Sequence, residues 1–113
     1  KGKSAPTHGP LGPWLVTMDE IPDVENLGMW LDVNGKRMQN GSTNTMIFNI
    51  KTLVAYITRD MKLLPGDDVT TGTPPGVGLG MKPQVFLKDG DIIELGIDGL
   101  GKQRQVVRAF REV

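Results

Sequence analysis

The sequence predicts a mostly β, α+β domain with a single amphipathic helix, and three observations carry that prediction. Short apolar runs rich in β-formers (Trp14–Thr17, Met29–Val33, Val85–Leu87, Ile92–Ile97) recur between clusters of Gly, Pro, Asn and Asp. Only one stretch keeps a helical period: Ile50, Leu53, Val54, Ile57 and Met61 fall at spacings of three and four. Strand and helix patterns do not alternate as a doubly wound sheet requires, and no internal repeat interrupts the chain.

Taken in order, Trp14–Thr17 reads as a brief strand between Pro13 and the polar segment from Asp19 to Asp23. Met29–Val33 and Lys36–Gln39 flank Asn34-Gly35, the strongest short hairpin signal, and so form a two-stranded ribbon. Asn49 is placed to cap the helix, which the pattern extends over about 49–62. Leu64-Pro65-Gly66-Asp67 has Pro and Gly at the central places of a type II turn, leading into a strand at 68–71. The stretch Thr70–Pro83 then reads as a loop at a strand end, and the last third as a β meander: Val85–Leu87, Ile92–Ile97, a turn at Asp98–Gly101, and a final strand at 103–110.

Composition excludes several functions. The chain of 113 residues is one domain or part of one, and its 13 basic and 13 acidic residues cancel, leaving no positive field for nucleic acid or an anionic membrane. No apolar run reaches the ~18 residues of a membrane span. With no cysteine there is no disulfide, thiolate metal site or cysteine nucleophile, and a soluble, cytoplasmic protein is the expectation. The chain opens on Lys1, and its first dozen residues read like the interior of a structured loop, so an absent N-terminal part of the domain is expected.

The loop Thr70–Pro83 is rich in glycine (Gly72, Gly76, Gly78, Gly80) and proline (Pro74, Pro75, Pro83). It is no nucleotide loop. The dinucleotide fingerprint fails because Met81 stands where the third glycine belongs, and no Gly-x-x-x-x-Gly-Lys-Ser/Thr can be laid on it. Threonine hydroxyls at 70, 71 and 73, with Gly72 permitting close approach to a main-chain N–H, suit a small oxyanion or carboxylate; a plain connecting loop is the alternative. Lys3, between glycine and proline, can neutralise a carboxylate or a developing enolate, although a lysine near a terminus is more often a solvated charge. His8, the only imidazole, reads as a loop surface residue. The pairs Asp19-Glu20, Asp67-Asp68 and Asp89/Asp91 sit in turns and read as local hydrogen-bonding groups. The four glutamates (Glu20, Glu25, Glu94, Glu112) form no Glu-x-Glu pair, so a metal site built wholly within this chain is not expected.

Gly2-Lys3-Ser4, Gly9–Thr17, Trp30–Gly35, Met46-Ile47-Phe48, Leu64–Asp67 and Thr71–Gly78, in this order, resemble the C-terminal half of the fumarylacetoacetate hydrolase family over residues 2 to about 108. The resemblance is nearest to bacterial members acting on 2-oxo or 2-hydroxy-dienoic acids, or those called ureidoglycolate lyase-like. It implies that residues 1–113 are the C-terminal part of one catalytic domain, a mixed β roll, in a homodimer or larger homo-oligomer. It further implies an enzyme that binds Mg²⁺ or Mn²⁺ and cleaves, decarboxylates or isomerises a small 2-oxo acid through an enolate. The family's metal-binding Glu-x-Glu pair and aspartate precede the segment present here, so this chain alone is expected to bind no metal. Carried onto this sequence, the catalytic lysine is Lys3, the threonine near the metal is Thr7, and the substrate-binding loop residues are Thr73 and Gly72. The chain departs from the family pattern at Pro6, where an aspartate is common, and at Ala5 or His8, where an aromatic often stands. A truncated, non-catalytic fragment that associates with itself is the alternative reading.

Overall fold

The computed structural model describes residues 4–110. Its centre is a four-stranded sheet, β1 (Gly28–Val33), β2 (Lys36–Ser42), β3 (Ile92–Ile97) and β4 (Gly101–Val106), in the order β2-β1-β3-β4 with every pairing antiparallel. One helix, α1 (Ile50–Ile57), lies in the long connection from β2 to β3. This is the expected α+β class.

Local chemistry explains each element. Asn34 and Gly35 take φ of 51° and 76°, the left-handed pair that a two-residue hairpin turn requires. The ladder pairs Val33 with Lys36 and Asp32 with Arg37, but Leu31 with Gln39, so Met38 is an extra residue and β2 carries a bulge. Asn49 caps α1 as expected, its side chain accepting from the Thr52 N–H at 2.8 Å. The Leu64–Asp67 turn closes with the Asp67 N–H donating to the Leu64 carbonyl at 3.0 Å and Gly66 at φ 99°.

Five predicted elements are corrected. Trp14–Thr17 forms no strand; its backbone meets no ladder, and it is tied instead by the Gln103 side-chain amide donating to the Gly12 carbonyl and by Trp14 lying against Gly101. The helix stops at Ile57 rather than near 62, the chain tightening there as the Arg59 and Asp60 N–H groups donate three residues back, to the Tyr56 and Ile57 carbonyls at 3.3 Å. Residues 68–71 and Val85–Leu87 are irregular, having no partner strand among the described residues, so the glycine-rich loop is not at a strand end. The final strand is Gly101–Val106 rather than 103–110.

The sheet has two unlike faces. Cross-strand pairs Met29–Ile97, Leu31–Leu95 and Val33–Ile93 make one side apolar. On the other side Trp30 lies under the Arg37 guanidinium at 4.7 Å and the Lys102 ammonium at 5.8 Å, while Arg37 pairs with Asp32. The ion pairs of that face are at least partly exposed and contribute only about 0–1 kcal/mol each.

Covering of the apolar side is thin. Among the described residues only Ile21 and Gly96 are buried, while Leu15, Ile47 and Phe48 are 93, 93 and 61% exposed. The accessible surface of 9556 Å² far exceeds the roughly 6,100 Å² that a compact monomer of this size presents.

Asp91 locks the two hairpins together. Its carboxylate accepts from the Asn34 side-chain nitrogen at 2.9 Å and from the Lys88 N–H at 2.8 Å, while the Asn34 side-chain oxygen Oδ1 accepts from the Ile92 N–H at 2.9 Å. The Asn34 bond first, and then the Lys88 N–H, hold the Asp91 carboxyl below its ordinary value. A carboxyl lowered by folding favours the folded state in its ionised form; that contribution is complete above about pH 4 and is lost as pH falls through the lowered value. We expect the Lys88 amide and Asn34 side-chain NMR signals to titrate together below about pH 4, and Asp91→Asn to abolish that titration. Independent titration of the two signals would refute the clip.

Candidate substrate loop at Thr71–Pro75

The loop Thr71–Pro75 borders a cleft of about 590 Å³. Apolar walls come from Met29 on β1, Met46 and Phe48 before α1, Leu53 on α1, and Val77. Ser42, Thr43 and Thr45 also reach it, but their hydroxyls serve nearby backbone. Ser42 Oγ accepts from the Asn44 N–H, Thr43 Oγ1 accepts from the Leu27 N–H, and Thr45 donates to the Ser42 carbonyl. Thr71 and Thr73 lie on the opposite rim.

The loop is fixed to β2 at two points. Gln39 Nε2 donates to Thr73 Oγ1 at 2.9 Å and to the Pro74 carbonyl at 2.7 Å. Gly76 sits at φ 111° against the bulge, where a Cβ would overlap the Met38 carbonyl oxygen. Only glycine meets both demands there. Gly72, at φ 103°, has open space around it, so its backbone stays approachable.

Gly72 and Thr73 both line this one cleft. Thr7 is not with them: it is exposed, in a turn closed by the His8 N–H donating to the Ala5 carbonyl at 3.0 Å, and it lines no part of this cleft. His8 is exposed in the same turn. Lys3 lies outside the described residues. Gln39 is the functional candidate that sequence reasoning missed.

No lining residue of the cleft is acidic, basic or imidazole. The two carboxyls with displaced titration lie elsewhere: the Thr17 hydroxyl lowers Asp19, and Asn34 lowers Asp91. Asp67 serves its turn, accepting from the Leu64 N–H, whereas Asp89, expected to bond locally, accepts from the distant Ala109 N–H. The arrangement offers hydroxyl and main-chain donors beside an apolar wall, which can hold an oxyanion but cannot move a proton. Among the described residues no three His, Cys, Asp or Glu side chains gather as a metal site, so these residues do not fit a divalent cation by themselves. Nor is any described helix long and apolar enough to cross a membrane.

Comparison with known proteins agrees with the fold. A provisionally named hydrolase of Burkholderia multivorans is 57% identical over 112 residues, 98% of this chain and 40% of the relative. The chain thus spans about two fifths of the curated relatives it matches. The structure of fumarylacetoacetate hydrolase from Exiguobacterium antarcticum superposes with a TM-score of 0.86 at 42% identity, covering 89% of this chain and 36% of that one. Maleylpyruvate hydrolase from Sphingobium sp. SYK-6, in complex with manganese(II) and pyruvate, gives 0.78 at 36% identity, covering 86% and 34%. The family described as fumarylacetoacetate (FAA) hydrolase C-terminal matches residues 1–108, and to that family this chain belongs.

Proposed function

We propose that this chain supplies the substrate-holding part of an enzyme that cleaves or isomerises a small 2-oxo acid through an enolate. The observation carrying the proposal is the Thr71–Pro75 loop, held on β2 so that Thr73 and Gly72 line the same cleft. Family membership supports the reaction class, and pyruvate in the Sphingobium hydrolase supports the substrate class. In this reading Thr73 and the Gly72 N–H hold a carboxylate or carbonyl oxygen, and Lys3 places an ammonium beside the developing enolate. A divalent cation, Mg²⁺ or Mn²⁺, suits such an enzyme, and since no three candidate ligands gather among the described residues, residues 4–110 would not complete its site alone. A cytoplasmic setting suits the cysteine-free composition.

The test is Thr73→Val in the full chain, which keeps shape and removes the hydroxyl. Losing a hydrogen bond to a charged oxygen removes about 1.5–3 kcal/mol, so kcat/KM should fall about 10- to 100-fold, mainly through KM. An unchanged kcat/KM would end the assignment.

The exposed apolar surface favours a second reading, a self-associating structural domain without turnover. The two separate by experiment. Full-length protein that forms a homodimer and turns over 2-oxo acids supports the first; association of the 113-residue chain, with no 2-oxo acid binding or turnover in the full-length protein, supports the second.

A further inference from the structure

Gln39 makes two bonds from one amide nitrogen, and together they determine which way the Thr73 hydroxyl can act. The Pro74 carbonyl can only accept, so the atom 2.7 Å from it must be the amide nitrogen rather than the amide oxygen. That fixes the orientation of the amide, whose second proton then goes to Thr73 Oγ1 at 2.9 Å. The threonine oxygen is thereby an acceptor toward the protein, and its own proton must find another acceptor. Within the loop it donates to the Pro74 carbonyl, which also accepts from Gln39, but at 3.4 Å, the far edge of hydrogen-bonding range. So long a bond is readily exchanged for a shorter one to a ligand oxygen in the cleft. A hydroxyl that is already accepting a bond also donates more strongly.

We propose that Gln39 is a positioning residue that commits Thr73 to the donor role, so that the loop selects a carboxylate or other anionic oxygen over a neutral group that presents N–H. The bulge at Met38 is part of this device, because it turns Gln39 to the Leu31 side of the sheet, where Thr73 lies within reach. The inference deepens the substrate-loop reading and rests on it.

The probes are pyruvate and pyruvamide, whose affinities for the full-length protein are measured by calorimetry. Unaltered protein should prefer the anion. Gln39→Met, similar in size but without donors, should weaken pyruvate about 10-fold while changing pyruvamide less than about twofold, since the lost bond is a charge-assisted one. Gln39→Glu should weaken pyruvate further, because the introduced carboxylate accepts the Thr73 proton and repels the ligand. In a Thr73→Val background Gln39→Met should have no further effect on pyruvate, and Gln39→Glu only the part that comes from its charge. If Thr73→Val weakens pyruvate but neither Gln39 variant changes the pyruvate-to-pyruvamide ratio, the positioning role is refuted and the substrate-loop reading stands. If Thr73→Val itself leaves pyruvate binding unchanged, the substrate-loop reading fails first. Should Gln39→Met fail to fold, the Gln39→Glu variant, nearly isosteric with the native side chain, carries the same comparison, and an unchanged ratio in it overturns the proposal.

Discussion

Gly76→Ala should unseat the substrate loop. At φ 111° an alanine is already strained, at about 1–3 kcal/mol, and here its Cβ would also overlap the Met38 carbonyl oxygen and crowd Gln39 Cγ at 3.1 Å. Strand β2 cannot give way cheaply, being paired along its length with β1. The loop must therefore lift, and the Gln39 bonds to Thr73 and Pro74 break with it. The control is Gly72→Ala, at φ 103° with nothing within 4 Å, which is strained but not crowded. Urea unfolding of the full chain should show Gly76→Ala losing about 2 kcal/mol or more beyond Gly72→Ala. Equal losses would mean that the close approach to the bulge holds nothing.

That contact also marks where sequence reasoning ends. Asn34-Gly35, the Asn49 cap and the Leu64–Asp67 turn were legible because each is decided by one or two residues whose backbone preference is strong. Strands at Trp14–Thr17, 68–71 and Val85–Leu87 were misread because apolar β-formers make a strand only when another edge lies alongside, and the edge is a property of the whole fold. Gly72 and Thr73 were legible as residues of an open, glycine- and proline-rich loop. Gln39 was not. A regular two-residue hairpin pairs Leu31 with Met38 and sends Gln39 to the Trp30 side; the bulge shifts the register by one and reverses the faces. No residue in Lys36–Ser42 announces that bulge, and the glycine that accommodates it, Gly76, lies far along the chain.

Lys3→Met should lower kcat by about 10²–10³, or about 2.7–4 kcal/mol of transition-state stabilisation, if the proposed enolate chemistry is right. The reasoning is one of supply. Charge that builds on an enolate oxygen must be met by positive charge or strong donors, and no group lining the Thr73 cleft is cationic. Of the basic side chains, Lys3 is the one assigned to this task by the resemblance of Gly2-Lys3-Ser4 to the family motif. An interaction made only as charge develops appears in kcat and leaves ground-state binding nearly unchanged, so KM should move less than about threefold. Lys3→Arg keeps the charge but spreads it over a planar fork on a longer side chain, and should recover only part of the rate. Lys1→Met, two residues away, should change nothing. A loss confined to KM would instead make Lys3 a ground-state carboxylate anchor, and an unchanged kcat would remove it from the reaction altogether.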